Sequence, residues 1–151
     1  MRSLRTEGTD MHLHTEVLAR YRTIAIVGLS PRADRPSNQV ARYMQSHGYR
    51  IIPVNPAIAG QTLLGETCYA TLVDAATALG KDNVDIEIVD CFRKSEDIGP
   101  IAEEAIAIGA NCLWMQLGVI NPEAAARAEK AGLIVVMNCC IKIDHMHSLA
   151  A

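Results

Sequence analysis

The chain of 151 residues has little of what marks several large protein classes. No apolar run approaches the ~20 residues that a helical membrane span needs. The segment from Met1 to Arg22 carries charges throughout and has no apolar centre, so it does not read as a secretory leader. The 5 cysteines, at positions 68, 91, 112, 139 and 140, form no C-x-x-C pair and no disulfide-like framework. That usage points to a reducing, cytoplasmic setting. Basic residues are not in excess: the net charge of −3 speaks against general nucleic-acid binding. Aromatics make up only 4% while Ala, Ile and Val dominate, which suits a compact α/β protein better than a β-sandwich. There is no internal repeat and no low-complexity segment.

Two nucleotide fingerprints are also missing. After Gly28 come Leu29-Ser30-Pro31, and the next glycine is Gly48, so no G-x-G-x-x-G exists there. The second strand ends in Asn55-Pro56 where a dinucleotide site would have an acid for the ribose diol. No Gly-Lys-Ser/Thr occurs, which removes a Walker loop. No Ser/His/Asp or Cys/His set appears at a recognisable motif.

What is present is organised around Thr23–Ser37. Ile24 to Val27 is an unbroken apolar run, read as a strand buried on both faces. Gly28 and a polar loop with Arg32 and Arg35 follow, and Ser37 precedes a helical pattern. A strand, a glycine turn and a helix N-terminus together form a phosphate-binding arrangement: amide N–H groups and the helix dipole face an anion, and arginines add charge-assisted bonds. Charge distribution agrees. Residues 1–50 hold eight arginines against four acids, whereas the remainder is acidic.

Along the chain, Thr9 or Asp10 caps a helix from Met11 to Tyr21. Strand one is Thr23–Val27, Ser37 caps a helix over Asn38–His47, and strand two is Tyr49–Val54. A short edge strand is expected around Glu66–Tyr69, and Thr71 caps a helix through Leu79. Strand Val84–Asp90 is followed by Ser95 as a cap, with the helix proper starting near Ile98. Strand Cys112–Gln116, a helix opened by Asn121-Pro122 and strand Leu133–Met137 complete the pattern. The tail from Asn138 shows no clear period. Strands alternating with helices imply βαβ units: one Rossmann-like, doubly wound parallel sheet in the order 3-2-1-4-5-6. Residues 1–22 are a helical lead-in, 23–146 the domain and 147–151 a tail. In such a sheet the ligand lies outside the carboxyl ends of the strands, among Gly28–Ser37, Val54–Pro56, Cys91–Ser95 and Gln116–Val119.

The runs GLSPRADRPSNQVARYM, GYRIIPVNP, LLGETCY, VDIEIVDCFRKSE and AIAIGANCLWMQLGVINPEAAARAEKAGLIVVMN, jointly spaced, resemble the small stand-alone CoA-binding proteins. These are similar to the N-terminal domain of the succinyl-CoA synthetase α subunit. The resemblance covers about residues 20–146. It implies coenzyme A or an acyl-CoA as ligand, with no catalytic residues established. By position, Gly28, Leu29 and Ser30 would line the diphosphate turn, and Arg35 and Ser37 would hold phosphate with Arg32 in support. Val54, Asn55 and Pro56 would form the rim near the adenosine, Phe92 and Arg93 match the family's F-R, and Gln116 and Gly118 would flank the pantetheine. The synthetases carry their phosphohistidine in a second domain that this sequence does not contain, which argues against ligase activity by this chain alone. The family pattern M-D-R-C-x-x-I-E-H reads here as Met137-Asn138-Cys139-Cys140-Ile141-Lys142-Ile143-Asp144-His145, so an acid–arginine pair is replaced.

The expected role is therefore binding, with a small-molecule CoA ligand, no nucleic acid, no membrane, and a monomer or homodimer. Two other readings use the same residues: a nicotinamide-dependent oxidoreductase in the same crevice, and a thiol redox sensor through Cys139 and Cys140. The plainer view of those cysteines is a pair of small residues closing the last strand. His12-Leu13-His14 and His145-Met146-His147 lack a third ligand at zinc-like spacing, so no metal is expected. Asp34 is expected to pair with a neighbouring arginine, Asp90 to cap backbone N–H groups, and Trp114 to be core.

Overall fold

A computed structural model describes residues 5–7 and 11–150. In chain order the elements are β1 (Arg5–Glu7), α1 (Met11–Arg20), β2 (Thr23–Val27), α2 (Pro36–Ser46), β3 (Arg50–Val54), β4 (Thr62–Leu63), β5 (Glu66–Thr67), α3 (Leu72–Gly80), β6 (Ile88–Cys91), α4 (Ile98–Ala107), β7 (Cys112–Met115), α5 (Pro122–Lys130), β8 (Ile134–Met137) and α6 (Ile141–Ala150). Short 3₁₀ turns at Pro56–Ile58 and Ser95–Asp97 precede β4 and α4. The expected caps Thr9 and Asp10 lie outside the described residues.

The fold is α/β and Rossmann-like. Six strands form one all-parallel sheet in the order β1-β8-β7-β6-β2-β3. The 2-1-4-5-6 part of the expected order is present as β3-β2-β6-β7-β8. The expected third strand is not in the sheet. Glu66–Thr67 instead pairs antiparallel with Thr62–Leu63, and only Tyr69 reaches the sheet, in a single parallel bridge with Val54. The cause is local: Leu64 and Gly65 both have positive φ, 54° and 79°, the pattern of a two-residue type I′ hairpin loop. The segment therefore folds back on itself. At the opposite edge β1 adds beside β8, a strand the sequence reading did not anticipate.

Residues alternate between the two faces of the sheet, as the period of two requires. Ala25, Val89, Leu113 and Val135 face α3, α4 and α5, while Ile24, Ile88, Trp114 and Val136 face α1, α2 and α6. The charged lead-in is part of this second layer, since Val17 and Leu18 of α1 are buried there. The tail is also structured. Ile141, Asp144 and His145 are the buried face of α6, a spacing of i, i+3, i+4. Two of those three are ionisable, so no apolar periodicity announced the helix.

Two of the expected caps are present and two are not. Thr71 caps α3 by accepting from the Asp74 amide at 3.0 Å, and Asn121 caps α5 by accepting from Ala124 at 3.0 Å, with Pro122 as the first helical residue. Ser37 does not cap α2. That helix starts two residues earlier than Asn38, with Arg35 at the cap position and Pro36 inside the first turn, and no side chain caps it. Ser95 does not cap α4 either: its hydroxyl accepts from the Ile120 amide at 2.9 Å and so ties the β6 and β7 loops together.

Candidate ligand-binding site

The carboxyl ends of β2, β3, β6 and β7 converge because β2 and β6 are neighbours from which the chain winds outward in both directions. Gly28 opens the loop after β2 with φ of 92°, and its amide donates to the Val54 carbonyl at 2.8 Å. A Cβ at this position would overlap the Phe92 carbonyl oxygen. Glycine is thus required twice, by its backbone conformation and by the approach of the β6 loop.

The loop between Gly28 and α2 is held by side chains. The Ser37 hydroxyl accepts from the Ser30 amide at 3.0 Å, and the Ser30 hydroxyl accepts from the Arg32 amide at 3.1 Å. Asn38 donates to the Ser30 carbonyl at 2.9 Å, and Arg42 donates both to Asn38 Oδ1 and to the Ala33 carbonyl, each at 2.8 Å. Asn38 and Arg42 were not singled out in the sequence. Both lie in the expected helix, but their types carry no signal until the loop folds over them.

The residues expected at the site therefore divide. Leu29 is fully buried in the helix layer, and its carbonyl accepts from Asn55 Nδ2 at 3.0 Å. Asn55 also accepts from the Ala57 amide at 3.0 Å, so it joins two loops. Ser30 and Ser37 are committed to the ties just described. Gln116 is buried and its Oε1 accepts from the Ile141 amide at 3.0 Å, anchoring the first turn of α6. Gly118 has φ of 86°, and its amide donates to Asn138 Oδ1 at 2.7 Å. Asn138, which stands where the family pattern has an acid, thus still serves the β7 loop. Val54 and Pro56 border a cleft of about 320 Å³ on the α3/α4 side. Phe92, Arg93 and Gln116 line a larger cleft of about 640 Å³ on the other side, with Pro36 of α2 and Ile143 of α6. Arg93 and Asp97 border both clefts, so Arg93 stands on the ridge between them.

Charges are distributed in the same way. Arg32 and Asp34 are both exposed and pair at 3.4 Å, as expected. Arg35 is exposed beside the first turn of α2, and among the described residues it makes no ion pair. The first turn of α2 has no acidic residue. Its Ser37 and Asn38 amides have no acceptor within the helix, as for any first turn, and point along the positive end of the dipole.

Asp90 departs from expectation. It caps nothing: it is fully buried in β6, between Ile26 and Trp114 in register, and neither carboxyl oxygen has a hydrogen-bond partner. Burial pushes its pKa well above the usual carboxylate range. Cys91 and Cys112 are buried beside it, and burial, then the nearby Asp90, pushes both thiols up. Trp114 is core, and its indole N–H donates to the Cys139 carbonyl at 2.9 Å. Cys139 is buried behind the last strand, whereas Cys140 is partly exposed and lines the larger cleft. The two H-x-H pairs are split by the fold. His14 is buried and its Nδ1 lies 2.6 Å from Asp144 Oδ2, His12 is exposed, and His145 Nδ1 lies 2.9 Å from the Tyr43 hydroxyl.

Residues 22–146 match a family model described as a CoA binding domain. The Bacillus subtilis (strain 168) protein YneT is 42% identical over 130 residues, which is 86% of this chain and 90% of that protein. A Pyrococcus horikoshii OT3 protein of known structure is 37% identical, with a TM-score of 0.84 over 94% of both chains. A Thermus thermophilus structure is 28% identical, with a TM-score of 0.81 over 93% of this chain and 99% of the other.

Proposed function

The chain belongs to the CoA-binding domain family, and from that premise we propose that it is a binding protein for coenzyme A or an acyl-CoA. The diphosphate sits at the start of α2, between its Ser37 and Asn38 amides and the guanidinium of Arg35, with Arg32 and Arg93 in support. The rest of the ligand extends into the cleft bordered by Phe92, Gln116 and Ile143. The observation that carries this reading is the uncapped, acid-free N-terminus of α2, whose first residue lines the larger cleft. The side-chain ties from Ser37, Asn38 and Arg42 support it further, because a loop held before binding loses less entropy on binding. The protein acts in a reducing, cytoplasmic compartment, in keeping with its free cysteines.

Calorimetric titration with coenzyme A, and with NAD in parallel, tests the reading. Heat with coenzyme A alone is expected. Arg35→Ala should weaken it by about 1.5–3 kcal/mol, the range for a hydrogen bond to a charged group, or about ten- to a hundredfold in Kd. Unchanged affinity would remove Arg35 from the site, and heat with NAD alone would replace the CoA reading by the oxidoreductase one.

A further inference from the structure

Behind the last strand, three elements bring together three side chains that the ligand cleft does not use. His14 comes from α1, Cys139 from the turn after β8 and Asp144 from α6. Their donor atoms all lie within 4.8 Å of one another, and the residues are 0%, 4% and 6% exposed. We propose that His14, Cys139 and Asp144 form a site for a divalent cation of the zinc class.

The donor set selects the metal. A thiolate and an imidazole favour zinc or cobalt over magnesium or calcium, which take oxygen ligands. Ligands of a tetrahedral zinc stand about 2.0–2.3 Å from the ion, and so roughly 3.3–3.8 Å from each other. The trio reaches that geometry by small side-chain movements. The closest pair, His14 Nδ1 and Asp144 Oδ2 at 2.6 Å, share a hydrogen bond that the ion replaces. The imidazole binds neutral through one nitrogen with its proton on the other, Asp144 binds as the carboxylate, and the Cys139 thiol gives its proton to solvent.

The surroundings are those of a fixed site. The Trp114 ring lies 5.5 Å from the His14 ring and forms a dry wall, while its N–H holds the Cys139 carbonyl. Gln116 fixes the start of α6 through the Ile141 amide and so places Asp144 one turn on. Cys139 and Asp144 also line a cleft of about 350 Å³ with Leu117, Cys140 and His147, which provides an entry path and room for a water as fourth ligand. The thiol stands where the family pattern has an arginine, whose positive charge would repel a cation. The site therefore belongs to this chain and not to the family pattern, and it does not depend on CoA binding.

The test uses the reduced, full-length protein, treated with chelator and titrated with cobalt(II). Wild type is expected to bind one equivalent with the visible bands of tetrahedral cobalt and a thiolate-to-cobalt charge-transfer band, both abolished by excess zinc. Cys139→Ser should lose the charge-transfer band while keeping the circular dichroism of the parent. Asp144→Asn should weaken binding at least about tenfold, since loss of a mere outer partner of a metal ligand already costs that much. If Asp144→Asn fails to fold, the serine variant alone decides. Absence of saturable one-equivalent binding, or a charge-transfer band retained by Cys139→Ser, overturns the site.

Discussion

The buried carboxyl of Asp90 gives the structure a measurable dependence on pH. The side chain is fully enclosed in β6, and neither oxygen finds a hydrogen-bond donor. Burial therefore pushes the carboxyl pKa well up, against the smaller opposing pull of the nearby Cys91 amide, which does not reach hydrogen-bond geometry, and the folded protein keeps the proton to a higher pH than the unfolded chain. The unfolded aspartate ionises near about 3.9. Above that value unfolding releases a proton, so this residue's contribution to stability falls as pH rises, until the native carboxyl itself ionises. Inside that window the slope is that of one proton, about 1.4 kcal/mol per pH unit. Asp90→Asn carries no titrating proton. Its buried amide shifts the stability at every pH by a constant, so the quantity to read is the difference between parent and variant as pH changes. Urea unfolding at half-unit intervals upward from pH 4 should show that difference moving by about 1.4 kcal/mol per unit in favour of the variant. Parallel pH profiles for the two proteins would refute the reasoning, because they would mean that Asp90 ionises alike in both states.

Other consequences are as direct. Gly28→Ala puts a side chain at φ of 92° and into the Phe92 carbonyl, so it should cost more than about 2 kcal/mol and lower Tm by about 4–8 °C, read by thermal unfolding; an unchanged Tm would mean that the β6 loop can withdraw freely. The native protein should have one fast-reacting thiol, Cys140, against five in denaturant, counted with an aromatic disulfide reagent, since the other four cysteines are buried. A second fast thiol would place one of them at the surface. His145 is held below its ordinary pKa by burial, by His47 and by Arg22. The unfolded chain therefore takes up a proton first as pH falls below about 6.5, and the fold loses stability between that value and the lowered native one. His145→Gln should flatten the loss, and an unaltered acid limb in the same unfolding series would exclude the residue.

Much of the architecture was readable because it rests on patterns that the chain states openly. Five apolar runs gave the central strands, Thr71 and Asn121-Pro122 gave helix starts, and the family resemblance agreed with both. The misreadings share a physical cause. Leu64 at positive φ is unusual for a non-glycine residue, so the hairpin that removes the expected edge strand has no signature beyond Gly65. Helix α6 hides because two of its three buried positions are Asp144 and His145, which look like surface residues until α1 and α2 supply partners. Ser37 looks like a cap because serine before a helix normally is one, but Pro36 lets the helix start earlier, and the hydroxyl turns back to Ser30.

The same cause limits how far residue type alone reveals a binding residue. Asn55, Ser37 and Gln116 were expected as ligand contacts, and Asn38 and Asn138 are polar groups at the same end of the parallel sheet. Each instead satisfies a backbone amide or carbonyl of a neighbouring loop. Irregular loops that meet at the end of a buried sheet have no ladder partners, and an unpaired buried amide costs about 1–3 kcal/mol, so the nearest short polar side chains are used up in supplying them. What is left to meet a ligand is the long remainder, the exposed Arg35 and the half-buried Arg93, together with the helix amides that no side chain has capped. The substitutions should therefore separate by assay. Asn55→Ala is expected to lower Tm through the lost ties to Leu29 and Ala57, whereas Arg35→Ala should leave Tm in place and weaken coenzyme A binding. The reverse pattern, a stable Asn55→Ala that no longer binds and an Arg35→Ala that unfolds, would show that the polar groups at the strand ends serve the ligand before they serve the loops.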